Sequence, residues 1–138
     1  MITIRKQEIV KLEDVLHLYQ AVGWTNYINQ PQMLEQALSH SLEIYLALDG
    51  EAVVGLIRLV GDGFSSVFVQ DLIVLPTYQR QGIGGALMKQ ALEDFKEAYQ
   101  VQLATEETEK NVGFYRSMGF EILSTYDCTG MIWINREK

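Results

Sequence analysis

The strongest constraint on the fold lies between Ser66 and Leu87, where an apolar run ends at a proline and gives way to a glycine-rich turn and then a helical pattern. The run Ser66-Val67-Phe68-Val69-Gln70-Asp71-Leu72-Ile73-Val74-Leu75 is apolar enough for a central strand, and Pro76 ends it because proline lacks the N–H that a ladder needs. Beyond Gly82-Ile83-Gly84-Gly85-Ala86, residues Ile83, Leu87, Ala91 and Phe95 form one stripe with Met88 and Leu92, while Lys89, Gln90, Glu93, Lys96 and Glu97 mostly take the other side. Strand, tight loop and helix in this order present unpaired N–H groups at the positive end of a helix dipole. That is a physical recipe for binding phosphate.

The rest of the chain predicts an α/β domain around this unit. Ile2 and Ile4 alternate with polar neighbours as an opening strand, and Val15, Leu16, Leu18, Tyr19 and Val22 recur at helical spacing up to Gly23. Pro31 suits the first turn of a second helix carrying Met33, Leu34, Ala37 and Leu38, with Asn29 as its cap. Glu43 to Leu48 and Ala52 to Val60 read as strands around the hairpin signal Asp49-Gly50, and Gly61-Asp62-Gly63 makes a second turn. Val101 to Ala104 reads as a short strand and Glu109 to Met118 as a helix stopped by Gly119. Phe120 to Tyr126 and Met131 to Ile134 are expected to pair as a closing hairpin.

Composition narrows the class of function. The 138 residues suit one domain spanning residues 1–138, and 48% hydrophobic with 21% charged residues is an ordinary globular balance. One cysteine, Cys128, excludes an internal disulfide, and with only His17 and His40 beside it a metal enzyme is not expected. A net charge of −7 argues against nucleic acid or an anionic membrane as partner and favours a cationic small substrate. Met1-Ile2-Thr3-Ile4-Arg5-Lys6-Gln7-Glu8 has no apolar signal region and no stretch approaches a membrane span, so a soluble, cytoplasmic protein is expected.

The glycines alone leave several readings open, including plain chain reversal. A P-loop requires Lys and Ser or Thr after the last glycine, but Gly85 is followed by Ala86-Leu87. The dinucleotide fingerprint requires a sixth-position glycine where the chain has Leu87, although NAD is not formally excluded by this departure.

Context separates these readings. The stretch Val69 to Leu87 resembles the acyl-CoA-binding motif of the GCN5-related N-acetyltransferase (GNAT) superfamily, whose core Q/R-x-x-G-x-G/A is met by Gln79, Gly82 and Gly84. Downstream, Asn111-Val112-Gly113-Phe114-Tyr115-Arg116-Ser117-Met118-Gly119-Phe120-Glu121 is similar to the superfamily motif N-x-x-x-x-Y-x-x-x-G-F. The resemblance implies a mixed, mostly antiparallel central sheet flanked by helices, splayed between the strand ending at Leu75 and the strand near Leu103, with acetyl-CoA in the opening. Backbone N–H groups of Gln81, Gly82, Ile83, Gly84, Gly85 and Ala86 would bind the pyrophosphate, and Leu72, Ile73 and Val74 would line the pantetheine arm. Gln79 belongs to the same cofactor-binding set, Arg80 would meet a CoA phosphate or stay solvated, and Asn111 and Phe114 complete the set from the downstream motif; Asn111 would orient the arm or cap its helix.

The resemblance further implies direct acetyl transfer to an amine in a ternary complex. Tyr115 would protonate the departing CoA thiolate, being protonated at neutral pH with an ordinary pKa of about 10. Asp71 is the first carboxylate candidate for the base that deprotonates the amine, with ordered water, or a purely structural role for Asp71, as the alternatives. A backbone N–H near Val74 would stabilise the tetrahedral oxyanion. Tyr19, Trp24, Tyr27 and Tyr45 could supply aromatic walls for the acceptor, of which Trp24 and Tyr27 lie in a segment loosely similar to arylalkylamine-type acetyltransferases, so an arylalkylamine or polyamine is favoured. Acetylation of protein or peptide amines, a non-catalytic acyl-CoA-binding module and a toxin-like enzyme acting on charged tRNA are the competing readings. The family also implies a homodimer as one arrangement.

Overall fold

The computed structural model describes residues 1–135 of the chain. These group into two compact units, a larger one comprising Met1–Leu103 and a smaller one that begins at Ala104. The larger unit is a five-stranded sheet with helices. Its strands are β1 (Ile2–Lys6), β2 (Glu43–Asp49), β3 (Ala52–Gly61), β4 (Val67–Val74) and β5 (Val101–Leu103), and they lie side by side in sequence order. The first three pairings are antiparallel and only β4 with β5 is parallel, as expected of a mixed, mostly antiparallel sheet.

The helices of this unit are α1 (Leu12–Ala21), α2 (Thr25–Ile28), α3 (Pro31–Ser39) and α4 (Ile83–Asp94). Val15, Leu18 and Tyr19 of α1 and Leu34 and Leu38 of α3 are buried with Ile44, Leu46 and Leu48 of β2, Leu56 of β3 and Ile73 of β4. Helix α4 buries Ile83, Leu87, Met88 and Ala91, the stripe read from its sequence. It approaches the sheet closely because β3 carries Gly55, where a Cβ would stand 3.4 Å from a Leu87 methyl and 3.1 Å from the Ile73 carbonyl oxygen.

Several local expectations need correction. The hairpin turn is Gly50-Glu51, since Asp49 and Ala52 are already paired, and Gly50 takes the positive φ of 63°. The short α2 lies in a stretch whose four residues are too few to show periodicity, and Asn29 follows α2 rather than capping α3, whose cap position is Gln30. The turn at Asp62 is built as expected of an acid among glycines. Its carboxylate accepts from the Ser65 hydroxyl and from the N–H groups of Phe64, Ser65 and Ser66, which hold its pKa well below the usual carboxylate range.

The smaller unit contains α5 (Glu109–Ser117) and a 3₁₀ turn at Leu123–Tyr126. The closing hairpin is absent among the described residues. Phe120 N–H donates to Tyr115 and Thr125 N–H to Ile122, so donors needed for a ladder are spent locally, and Asp127 in the expected turn is left-handed with φ 58°. Met131, Ile132 and Trp133 are exposed, so the β-prone run buries no apolar face, and it is burial on a pleated surface that strand propensity measures.

Leu87 is fully buried at the contact of α4 with the sheet. We expect Leu87→Ala to lower unfolding free energy by about 2–5 kcal/mol, read as a fall in the urea midpoint at unchanged slope.

Candidate active site

The sheet opens where β5 ends. β5 pairs with β4 only at Val67, Val69 and the residue between, opposite Val101 to Leu103, so beyond Val69 the strand has no neighbour on that edge among the described residues. The N–H of Leu75 donates to Val54 on β3 at 2.9 Å, and alternation along an extended strand therefore turns the N–H and C=O of Val74 to the open edge. Val74 and Leu72 are half-buried along this edge, whereas Ile73 is buried in the core cluster. Ile73 is thus a core residue.

At the end of this edge, a 3₁₀ turn (Pro76–Tyr78) leads into the glycine loop, and the Tyr78 hydroxyl donates to Asp49 at 2.6 Å, which ties the turn to the end of β2. The Gln79 amide donates to the Val74 carbonyl at 3.2 Å. Two residues of the loop are left-handed, Arg80 at φ 67° and Gly82 at φ 79°. Left-handed backbone costs a non-glycine residue of order 1 kcal/mol. Its presence at Arg80 marks a loop shaped for something other than chain reversal. The first α4 bond runs from Ala86 N–H to Gly82 C=O at 3.0 Å, leaving Ile83, Gly84 and Gly85 N–H without an intrahelical acceptor. A Cβ built on Gly82 meets nothing within 4 Å, so the space over this N–H concavity is open. Gln81, Arg80 and Ala86 are exposed around it. These groups fit the anionic end of a nucleotide thioester, and the free edge fits its amide-bearing arm.

Asp71 is not an open carboxylate. Only 2% exposed, it accepts at Oδ2 from Arg58 Nε at 2.7 Å and from the Tyr19 hydroxyl at 2.8 Å. Its Oδ1 accepts from the Tyr27 hydroxyl at 3.3 Å. Arg58 stands opposite Asp71 in the β3–β4 register and is itself buried, reaching Ser41 at 3.2 Å and the Ala37 carbonyl at 3.5 Å. Burial alone would weaken the Arg58 charge, but the adjoining Asp71 outweighs it, so the guanidinium is held more firmly protonated than usual. Burial, then the Asp71 charge, pushes the Tyr19 phenol up. The geometry is that of a satisfied structural pair, the alternative reading of Asp71.

Arg58 was not among the expected site residues, yet its signal is in the sequence: one cation within Val53-Val54-Gly55-Leu56-Ile57-Arg58-Leu59-Val60 and one acid within the next apolar run. Two lone opposite charges in adjacent buried strands call for each other. Of the four aromatic candidates, Tyr45 is a core strap, buried and donating to Asp94 of α4 at 2.7 Å. Tyr19, Trp24 and Tyr27 form one cluster, with Tyr19 and Tyr27 edge-to-face at 5.3 Å between centroids and Trp24 6.1 Å from Tyr27. Trp24 and Tyr27 are half-buried, and Tyr19 is closed off.

In the smaller unit, α5 is capped by Thr108, whose hydroxyl accepts from the Asn111 N–H at 3.1 Å, so capping is not the role of the Asn111 side chain. Tyr115 is half-buried with Phe114 at 5.0 Å and Phe120 at 6.1 Å between centroids, and burial raises its pKa. Among the described residues, no three His, Cys, Asp or Glu side chains cluster to hold a metal, and no helix is long and apolar enough to cross a membrane. His17 is occupied with the Val53 carbonyl at 2.7 Å.

A free strand edge beside an N–H concavity suits an extended, anionic, amide-bearing ligand, the kind that the motif resemblance implies. Comparison with known proteins agrees. The profile of the acetyltransferase (GNAT) domain matches residues 40–122. A GNAT-family acetyltransferase from Streptococcus pneumoniae TIGR4 has 89% sequence identity, covers 99% of both chains and superposes with a TM-score of 0.91. The chain is 27% identical over 97% of its length to GCN5-related N-acetyltransferase 1, chloroplastic, of Arabidopsis thaliana, spanning 68% of that protein. It is 32% identical over 66% of its length to serotonin N-acetyltransferase 2, chloroplastic, of Oryza sativa subsp. japonica, spanning 48% of that protein. The chain belongs to the GNAT family of acetyltransferases, with acetyl-CoA as the cosubstrate.

The buried pair makes a prediction of its own. Arg58→Ala strands a buried carboxylate and is expected to cost about 3–5 kcal/mol, whereas Arg58→Met with Asp71→Leu leaves no buried charge, only the Tyr19 hydroxyl without its acceptor, and is expected to cost about 1–3 kcal/mol. Urea unfolding of the two variants side by side measures the difference.

Proposed function

We propose that residues 1–138 act as one N-acetyltransferase domain that moves the acetyl group of acetyl-CoA directly to the primary amine of a small molecule, with an arylalkylamine or a polyamine as the favoured acceptor. The observation that carries this reading is the free edge of β4 from Gln70 to Val74 leading into the left-handed loop and the unpaired N–H groups of Ile83, Gly84 and Gly85. Acetyl-CoA fits there as an acyl group on a thiol leaving group, held by the loop at its phosphates and by the strand edge at its amides. Solved GNAT-family structures of 21% and 18% sequence identity share the fold, one from Elizabethkingia anophelis described with acetyl-CoA bound and one from Thermoplasma acidophilum in complex with coenzyme A.

The chemistry follows from the residues. A neutral amine nitrogen attacks the carbonyl carbon, the C–S bond breaks, and the thiolate takes a proton. Val74 N–H faces the edge and is the donor for the transient oxyanion. Tyr115 is the proton donor, and burial keeps its phenol protonated beyond its ordinary 10.0. With both Asp71 oxygens already accepting hydrogen bonds, the amine's own proton passes to ordered water. Half-buried Trp24 and Tyr27 offer ring faces to an arylalkyl chain, and the net charge of −7 favours a cationic acceptor over a nucleic acid. The similarity of this chain to a protein named serotonin N-acetyltransferase 2 supports the same class. A cytoplasmic homodimer completes the reading, and light scattering at several concentrations reads the dimer directly.

Calorimetric titration of acetyl-CoA, with NAD as control, tests the cofactor side: selective micromolar binding is expected, and none in a folded sample would overturn the assignment. Arg80→Gly permits the left-handed backbone without strain, so affinity it loses reflects the missing Arg80 side chain and the freer loop. For turnover, Tyr115→Phe is expected to lower kcat by roughly 100-fold or more. In the wild-type enzyme kcat/KM for the amine should climb with pH as the amine loses its proton, with no alkaline fall below about pH 10, because a raised phenol pKa leaves the acid protonated throughout. A fall beginning near pH 8 would remove Tyr115 as the acid.

A further inference from the structure

The contacts around Asp71 fall into two groups. Arg58 Nε and the Tyr19 hydroxyl reach Oδ2 at 2.7 and 2.8 Å, short bonds within a closed core. The Tyr27 hydroxyl is held by three longer contacts: it donates to Asp71 Oδ1 at 3.3 Å and accepts from Gln70 Nε2 at 3.4 Å and Arg58 Nη2 at 3.5 Å. All three exceed the usual 2.5–3.2 Å, as catalytic and binding contacts commonly do before a ligand tightens them.

The place of this hydroxyl is as informative as its distances. Val69 pairs with Leu59 and Asp71 with Arg58, so Gln70 is the extra residue of a bulge in β4, exposed where Asp71 is buried. A hydroxyl that meets both side chains sits at this bulge, and the ladder to β5 has stopped one residue earlier, at Val69 opposite Leu103. The Tyr27 hydroxyl stands where the sheet begins to part, next to the segment from Leu72 to Val74. Its α2 is only four residues long and makes no side-chain cap bond, so little in the helix itself fixes the ring. Tyr19 and Trp24 pack against the ring, and Arg58 adds a polar hold on its hydroxyl. From β3 it anchors Asp71 and touches Tyr27, and through Ser41 and the Ala37 carbonyl it grips the end of α3.

We propose that Arg58 is a positioning residue for acceptor recognition: by fixing Asp71 it holds the Tyr27 hydroxyl at the parting of the sheet, where that oxygen accepts an N–H bond from the acceptor amine in place of the long contact from Gln70. This rests on the small-amine reading given above. It assigns the buried pair a task that stability alone does not require, since an apolar pair could occupy the same space.

The test is a cycle of variants: Tyr27→Phe, the pair Arg58→Met with Asp71→Leu, and all three changes together. Serotonin and spermidine serve as acceptor probes; KM and kcat are measured with acetyl-CoA, and the amine dissociation constant is measured by calorimetry with CoA in its place. Tyr27→Phe and the pair variant are each expected to raise amine KM and dissociation constant by roughly ten-fold, with a smaller change in kcat and unaltered acetyl-CoA affinity. If the pair acts through Tyr27, the triple variant is no worse than the pair variant. Additive losses of roughly 100-fold, an unchanged amine constant in either variant, or an equal loss of acetyl-CoA binding would each overturn the proposal. Arg58→Lys, which keeps the charge but not the fork, is expected to lie between wild type and the pair variant. A wild-type enzyme that binds acetyl-CoA but neither binds nor acetylates either amine would overturn the small-amine reading and this inference with it. Turnover with an additive cycle would overturn this inference alone.

Discussion

The ion pair between Arg58 and Asp71 joins neighbouring strands and, through hydroxyl and carbonyl partners, three helices: Tyr19 on α1, Tyr27 on α2 and Ala37 on α3. Two charges withdrawn from water cost several kcal/mol each unless their remaining donors and lone pairs are met. Here they are met, and among the described residues no buried side-chain nitrogen or oxygen lacks a partner. The consequence is geometric more than energetic. Apolar contacts among Leu18, Leu34, Leu38 and Leu56 tolerate small slides, but a guanidinium bonded at 2.7 Å to a carboxylate does not. The pair fixes how the helical layer lies over β3 and β4, and that placement decides what stands at the edge of β4.

A second constraint is the shortness of β5. Parallel pairing that ends after three residues leaves the strand polar groups from Gln70 onward available on one side. An unpaired edge in a soluble protein is ordinarily a hazard that invites another strand. The chain meets it in part with the Gln79 side chain, which occupies the Val74 carbonyl. A linear ligand with spaced amides makes better use of the same edge, and the N–H groups at the start of α4 stand ready for its anionic end. Strand edge and helix terminus form one continuous binding surface because Pro76 stops β4, and Tyr78, bonded to Asp49, holds the intervening turn against the sheet.

Much of this was legible in the sequence because it depends on backbone. Pro76, the glycines from Gly82 and the stripe from Ile83 to Ala91 specify strand end, turn and helix by local rules, and each is found where expected. The parting of the sheet was expected from the family motifs and is seen as the limited register of β4 with β5. The closing hairpin was misread because β-branched and aromatic residues report an affinity for a half-buried pleat, and Met131 to Ile134 find none. The role of Asp71 was illegible in its own neighbourhood. Its partner lies 13 residues away in another strand, and only the antiparallel register brings them together. Tyr19 and Tyr27, 52 and 44 residues distant from Asp71, are further still from any local rule.

The two halves of the reaction thus draw on different parts of the chain. The groups proposed for acetyl-CoA are N–H and C=O groups, which every residue has, so the sequence signature on that side is a run of glycines that begins at Gly82, where φ is positive. The side chains proposed for the acceptor come from α1 and α2, with supports on β3 and β4. The Arg58 and Asp71 pair lies beneath both. A change that leaves either charge alone in the core costs the fold itself.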